Sequence, residues 1–389
     1  LYRDAIDLGL ALWAGHDQSK LLKRSTAVKI GVPKEIKVHE NRVALVPASV
    51  RELVHGGHAV MIERGAGLGA GISDDDFKAA GAGLVDTPAE IFATADMVVK
   101  VKEPQAEERK QLRPEQILFT YLHLAPDPAQ TKDLLASGAT CIAYETVTAS
   151  DGTLPLLTPM SEVAGRMAIQ VGARCLESAS GGRGILLGGV PGVDSAEVVI
   201  LGAGVAGSNA AAMAIGLGAR VTLVDRSLPA LRRAVDHFGT SVRTVYSTRD
   251  AVDELLRQAD LVIGTVLIPG ARAPKLVTRQ SLKSMKPGSA IVDVAIDQGG
   301  CTETSRPTTH ADPTYTVDGV IHYCVANMPG GVARTSTFAL NNATLPFIVS
   351  IADKGWTRAV ADDIHLRRGL NIHAGRVTYE AVAKALGLE

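Results

Sequence analysis

The chain has 389 residues, enough for two domains of ordinary size, and 46% of them are hydrophobic. Lys and Arg total 40 against 41 Asp and Glu, so there is no one-sided field, and that argues against a nucleic-acid or membrane-surface partner. Cys141, Cys175, Cys301 and Cys324 form no C-x-x-C pair, and the histidines form no H-E-x-x-H run. Reduced thiols, a cytoplasmic location and no bound metal are therefore expected.

The first 26 residues differ in texture from the rest. Their apolar run LGLALWAG is short and follows Asp4 and Asp7, a poor fit to a secretory signal. They read as an extension outside the catalytic fold. No apolar stretch approaches a membrane span.

From residue 27 onward, short β-branched runs alternate with helical patterns. Strands are expected at 27–32, 59–63, 97–101, 117–122 and 140–143. Helices are expected at 49–54, 74–80, 88–94, 107–112 and 131–137. This βαβα rhythm predicts a mostly parallel sheet covered on both faces. The run 161–178 has no proline and repeats Val163, Met167, Val171 and Cys175 every four residues. It reads as one long helix between two domains.

A second βα series follows. Its strands are expected at 197–201, 220–224, 242–245, 260–263, 290–294 and 320–325. Helices are expected at 205–217, 229–238, 250–258 and 278–285, with a last one around 337–354. The fold class is thus α/β, with two successive doubly wound series.

Within the second series, VVILGAGVAG holds the spacing G-x-G-x-x-G at Gly202, Gly204 and Gly207. These glycines suit a tight turn, a close approach of backbone to pyrophosphate, and close helix–strand packing. Asp225 ends the next strand, where a carboxylate can accept the ribose hydroxyls of NAD. Alternatively, Asp225 caps the helix that follows. Arg226 beside it would tolerate NADP.

Four candidates sit at the carboxyl ends of predicted strands: Arg42, Lys102, His123 and Asp297. A guanidinium fork, an amine, an imidazole and a carboxylate suit a small α-substituted carboxylic acid. Each also has a plain reading as a surface charge, a core imidazole or a turn residue. In MVVKVKEP, Lys100 and Lys102 project from one face of a strand. Lys100 reads as a solvated strand-end charge.

IGVPKEIK, ENRVALVP, VKVKEP, FTYLHLA, AYETV, PLLTPMSEVAGRMA, GAGVAG, VDVAIDQGGC, RPTTH and CVANMPG, in this order, resemble the L-alanine dehydrogenase family, which groups with the NAD transhydrogenase alpha subunits. The resemblance runs from about residue 28 to the end. It implies reversible NAD-dependent oxidation of L-alanine to pyruvate and ammonium. It also implies two Rossmann-like domains with a cleft between them: residues 27–155 with 334–389 for substrate, and 156–333 for NAD.

By the same resemblance, Arg42 and Lys102 hold the substrate, and His123 and Asp297 carry the acid–base roles. NAD would meet Ser161, Asp225, Ser247, Val266, Leu267, Val294, Ala295, Ile296, Arg306, Val325, Ala326, Asn327 and Met328. A homohexamer is implied as well. Ala230 stands where the family often carries Lys or Arg. Lys102 is expected to have a lowered pKa beside Arg42. The alternative reading is the NAD-binding subunit of a proton-translocating transhydrogenase, which would not need VKVKEP and YLHLA as a substrate site.

Overall fold

A computed structural model describes residues 27–266 and 273–388. The extension expected at 1–26 and the cofactor contact expected at Leu267 lie outside the described residues.

The first sheet is built from β1 (Lys29–Val32), β2 (Ala59–Glu63), β3 (Gly83–Val85), β4 (Met97–Val99), β5 (Ile117–Thr120) and β6 (Thr140–Ala143). They lie in the order β3-β2-β1-β4-β5-β6 and are all parallel. The second sheet uses β7 (Glu197–Leu201), β8 (Arg220–Asp225), β9 (Val242–Tyr246), β10 (Leu261–Gly264), β11 (Ala290–Asp293), β12 (Thr314–Val317) and β13 (Val320–Tyr323). Its order is β9-β8-β7-β10-β11-β13, with β12 antiparallel on the edge. Near the carboxyl terminus, β14 (Leu370–His373) and β15 (Arg376–Val377) add antiparallel strands to the first sheet beyond β6.

Both sheets reverse their winding at one point, between β1 and β4 and between β7 and β10. Ligands of open α/β sheets bind at the carboxyl ends of the strands beside such a point. The strands are buried on both faces, as helices on either side require. Val198 and Ile200 enter one core while Val199 and Leu201 enter the opposite one, following the period of two along a strand.

The helix Thr158–Cys175 links the halves. Met160 and Val163 pack in the first core, whereas Ala168, Ile169 and Cys175 pack in the second. Its small residues allow close approach. A Cβ on Gly165 would lie 2.1 Å from the Ala206 carbonyl oxygen. A second long helix, Ala333–Lys354, returns from the second sheet and places Leu340, Ile348 and Ile351 in the first core. Among the described residues no helix is long and apolar enough to cross a membrane.

Some expected elements are shorter than predicted. The helix expected at 278–285 is the single turn Arg279–Leu282. The strand expected at 97–101 ends at Val99.

Candidate active site

The turn after β7 has one strained glycine, one packed glycine and one open glycine. Gly202 has φ +109, and a Cβ there would sit 2.8 Å from Thr265 Oγ1, so a side chain is excluded twice. At Gly207 a Cβ would lie 1.8 Å from the Gly202 carbonyl oxygen. At Gly204 nothing lies within 4 Å of the Cβ position. The helix Val205–Gly216 starts here without a side-chain cap, leaving N–H groups suited to phosphate.

Asp225 ends β8 half-buried. Its Oδ2 accepts the Ala203 N–H at 2.7 Å and its Oδ1 accepts the Ser227 N–H at 2.7 Å. The next helix is capped by Ser227, whose side chain accepts the Ala230 N–H. Asp225 thus ties the glycine turn to that helix, and each carboxylate oxygen keeps a lone pair free. Ser247 is buried and donates its N–H to the Asp225 carbonyl at 2.9 Å.

Val294, Ala295, Ile296 and Asp297 form a 3₁₀ turn after β11. Buried Asp293 holds it, accepting from the Ala295 N–H at 3.2 Å, the Cys301 N–H at 2.9 Å and the Ser305 hydroxyl at 2.5 Å. Val325, Ala326, Asn327 and Met328 follow β13, and Val266 follows β10. Arg306 is exposed, its guanidinium 4.1 Å from the centre of the Tyr315 ring. Ser161 is half-buried on the linking helix, next to Met160.

On the other sheet, Arg42 follows β1 and Lys102 follows β4, the two strands that flank the switch point. The Arg42 guanidinium is 2% exposed and already engaged. Its Nε and Nη2 donate to the two Glu40 oxygens at 2.7 and 2.6 Å. Nη2 also donates to Asn327 Oδ1 at 2.8 Å, and Nη1 to Met160 Sδ at 3.0 Å. Asn327 Nδ2 donates to Glu40 Oε2 at 3.0 Å. Glu40, Arg42 and Asn327 therefore stitch the loop after β1 to the loop after β13. Burial raises the Glu40 carboxyl, but hydrogen bonds and charge from Arg42 outweigh it and hold it down to about 2.

Lys102 Nζ makes no hydrogen bond to any described residue. Burial lowers its pKa and the Arg42 charge lowers it further, while Asp297 acts the other way. The lowering expected from Arg42 is thus present, with desolvation the larger cause. Lys102 is therefore within electrostatic reach of Arg42 on its own sheet and of Asp297 on the other.

His123 follows β5 with φ +50. Its backbone N–H donates to Glu145 Oε1 at 2.6 Å. Its ring stacks on Tyr121, with centroids 5.8 Å apart and planes 4° apart. Tyr121 donates its hydroxyl to the Leu156 carbonyl at 2.5 Å and feels the charge of Arg42. Tyr121 therefore touches the imidazole and lies within electrostatic reach of the guanidinium.

Two domain-level matches decide the relationship. Residues 31–164 match the family described as alanine dehydrogenase/PNT, N-terminal domain, and residues 168–380 match its C-terminal domain. The chain belongs to the alanine dehydrogenase/PNT family. It is 63% identical to an alanine dehydrogenase from Halomonas elongata over 93% of this chain and 98% of that protein. A solved L-alanine dehydrogenase superposes with a TM-score of 0.90 at 51% identity, covering 92% of this chain and 99% of the other. A transhydrogenase from Sinorhizobium meliloti superposes at 0.78 with 29% identity, covering 91% and 99%. The two-domain α/β fold and a nucleotide-binding domain follow from membership in this family.

One expectation is overturned. Lys100 is not a solvated strand-end charge. It is 0% exposed, with Nζ 3.1 Å from Glu35 Oε2 and 2.7 Å from Glu108 Oε1. The strand's alternation fixes its side but not what covers that side. The Nε and Nη2 of Arg42 are taken by Glu40, which leaves Nη1, on Met160 Sδ, as the edge of the fork not engaged by a carboxylate.

Glu35, Glu40, Tyr121, Glu145 and Asp293 are not among the residues expected from the sequence, and Asn327 is expected there only as a cofactor contact. For Glu40 a signal exists: it stands two residues before Arg42, and alternation in an extended loop puts both on one side.

The helix Ala333–Lys354 fixes both loops. Thr337 Oγ1 accepts the Val43 N–H at 3.2 Å and Asn341 Oδ1 accepts the Val46 N–H at 2.6 Å. Ser336 donates its hydroxyl to the Pro329 carbonyl at 2.6 Å.

Proposed function

We propose that this chain is an NAD-dependent alanine dehydrogenase, converting L-alanine and water to pyruvate and ammonium and running the reverse amination. The carrying observation is that Lys102, at the switch point of the first sheet, lies within electrostatic reach of Arg42 on its own sheet and of Asp297 on the other. Two cations and one carboxylate at such a place match a small zwitterion with a carboxylate and an amine.

The residues present fit NAD. The space at Gly204, the uncapped helix start and the half-free Asp225 carboxylate suit pyrophosphate and ribose. Gly202, Gly204, Gly207, Asp225, Ser247, Val266, Leu267 and Arg306 would hold the adenosine and phosphate portions. Ser161, Val294, Ala295, Ile296, Val325, Ala326, Asn327 and Met328 would hold the remainder. When bound, NAD supplies the hydride acceptor.

The chain's own groups do the rest. Arg42 through Nη1 and Lys102 through Nζ hold the substrate carboxylate and the pyruvate carbonyl. His123 takes the proton that must leave the alanine ammonium before Cα can be oxidised. Asp297 orients the water that adds to the resulting imine carbon, and His123 returns a proton as ammonia departs. The balance is alanine, water and the oxidised dinucleotide in; pyruvate, ammonium, the reduced dinucleotide and one proton out. Fixed charge and positioning carry most of the rate enhancement.

We place this activity in the cytoplasm in a homohexamer. We assign 27–155 with 334–389 to the substrate domain and 156–333 to the nucleotide domain. A transhydrogenase subunit would need a partner chain for turnover. The test is NADH formation by the purified chain alone, with L-alanine, glycine, serine and lysine, each with NAD and NADP. Turnover highest with alanine and NAD is expected. No turnover without an added partner would sink the reading.

A further inference from the structure

Beside the proposed substrate site lies a buried ionic cluster with no part in the mechanism above. Lys100 sits between Glu35 and Glu108, and all three side chains are 3% exposed or less. Buried ion pairs of this kind seldom raise stability over well-packed apolar groups, so the cluster needs another explanation. Its remaining oxygens point to one. Glu35 Oε1 accepts the Val101 N–H at 2.7 Å and the Lys102 N–H at 3.3 Å. Glu108 Oε2 accepts the Gln105 N–H at 2.7 Å. From the other side, Thr120 donates its hydroxyl to the Lys102 carbonyl at 2.9 Å. Lys37, two residues after Glu35, pairs with Glu103.

The backbone of Lys102 is therefore gripped at its N–H and at its C=O, while its ammonium stays unbonded. The grip comes from a carboxylate that Lys100 holds in place. We propose that Glu35 is a positioning residue for Lys102, and that Lys100 and Glu108 exist to fix the Glu35 carboxylate. In this arrangement Lys100 is the internal counterpart of Lys102. One ammonium of the pair is spent on structure so that the other can be presented to substrate at a fixed place.

The inference rests on the reading of Lys102 as a substrate ligand, and the experiment separates the two. Steady-state kinetics of the full chain in the aminating direction, with pyruvate, ammonium and NADH, are compared for Glu35→Leu, Glu35→Gln, Glu35→Asp and Lys102→Met. Glu35→Leu is expected to raise KM for pyruvate about tenfold or more while leaving KM for NADH within about twofold. Glu35→Gln keeps one oxygen for both amides but turns an NH2 toward the Lys100 ammonium, and is expected to raise KM for pyruvate distinctly less than Glu35→Leu. Should Glu35→Leu not fold, Glu35→Asp decides, because it keeps the charge toward Lys100 but draws the oxygen back from the amides. It is then expected to raise KM for pyruvate. A merely structural role would lower the active fraction and melting temperature with both KM values unchanged. That outcome, or equal KM rises for Gln and Leu, overturns the proposal. If Lys102→Met itself leaves KM for pyruvate unchanged, the substrate-ligand reading fails, and the proposal fails with it.

Discussion

Lys102 is a cation without a hydrogen-bond partner among the described residues, and Glu103 and Asp297 offset its burial only in part. Burial and the adjacent Arg42 both disfavour its charged form. For a base whose native pKa is lowered, the unfolded chain binds the extra proton. The penalty is therefore complete below the lowered native pKa and fades as pH rises toward the ordinary lysine value of 10.5. Lys102→Met should thus be more stable than the parent by about 1 kcal/mol at pH 7, with the gap narrowing as pH rises. Its turnover should fall while its KM for pyruvate rises. Urea unfolding at several pH values beside an NADH assay checks both, and a less stable Met variant at pH 7 would contradict the account. His123→Ala should lose about a hundredfold or more in turnover while binding NADH with unchanged affinity, read by nucleotide fluorescence. Near-normal turnover would remove the imidazole from acid–base duty. At this scale the sequence exposed the groups at strand ends, because position beyond a strand is a local property. It hid Glu35, whose cation is 65 residues away, since a loop carboxylate looks solvated until its cation is known.

Among the elements, the glycine turn offers a contrast between two substitutions. Gly207→Ala forces a Cβ against the Gly202 carbonyl oxygen, 1.8 Å away. Backbone must move, so the melting temperature should fall and NADH binding should weaken. Gly204→Ala meets nothing within 4 Å in the protein. Its melting temperature should stay level while NADH affinity falls by about tenfold, or ~1.4 kcal/mol, because the methyl fills space left for phosphate. Unchanged affinity in Gly204→Ala would mean the nucleotide does not approach there. The central strands were legible because they are continuous apolar runs. Strands β3, β12, β14 and β15 were not, for they lie toward sheet edges, and β3 and β12 have no residue fully buried. Half-exposed strands of two to four residues lack the periodicity that betrays longer ones.

For the whole molecule, the deciding contact is Arg42 to Asn327, made between residues 285 positions apart. No local pattern can announce such a bond, which is why two winding series were readable from the sequence but their junction was not. Asn327 also adopts φ +61, a left-handed conformation that glycine tolerates. Asn327→Gly should keep the backbone and lose the amide. It is expected to raise KM for alanine about tenfold and to weaken NADH binding as well, since Asn327 is also a proposed nucleotide contact. An unchanged KM would show that the junction does not shape the substrate site.

Ser336, Thr337 and Asn341 lie within two turns of one rod. Two grip the Arg42 side and one grips the Pro329 side. The jaws of the crevice are thus bolted to a common spindle. Neither can drift from the other unless one of those three bolts slips or the spindle twists.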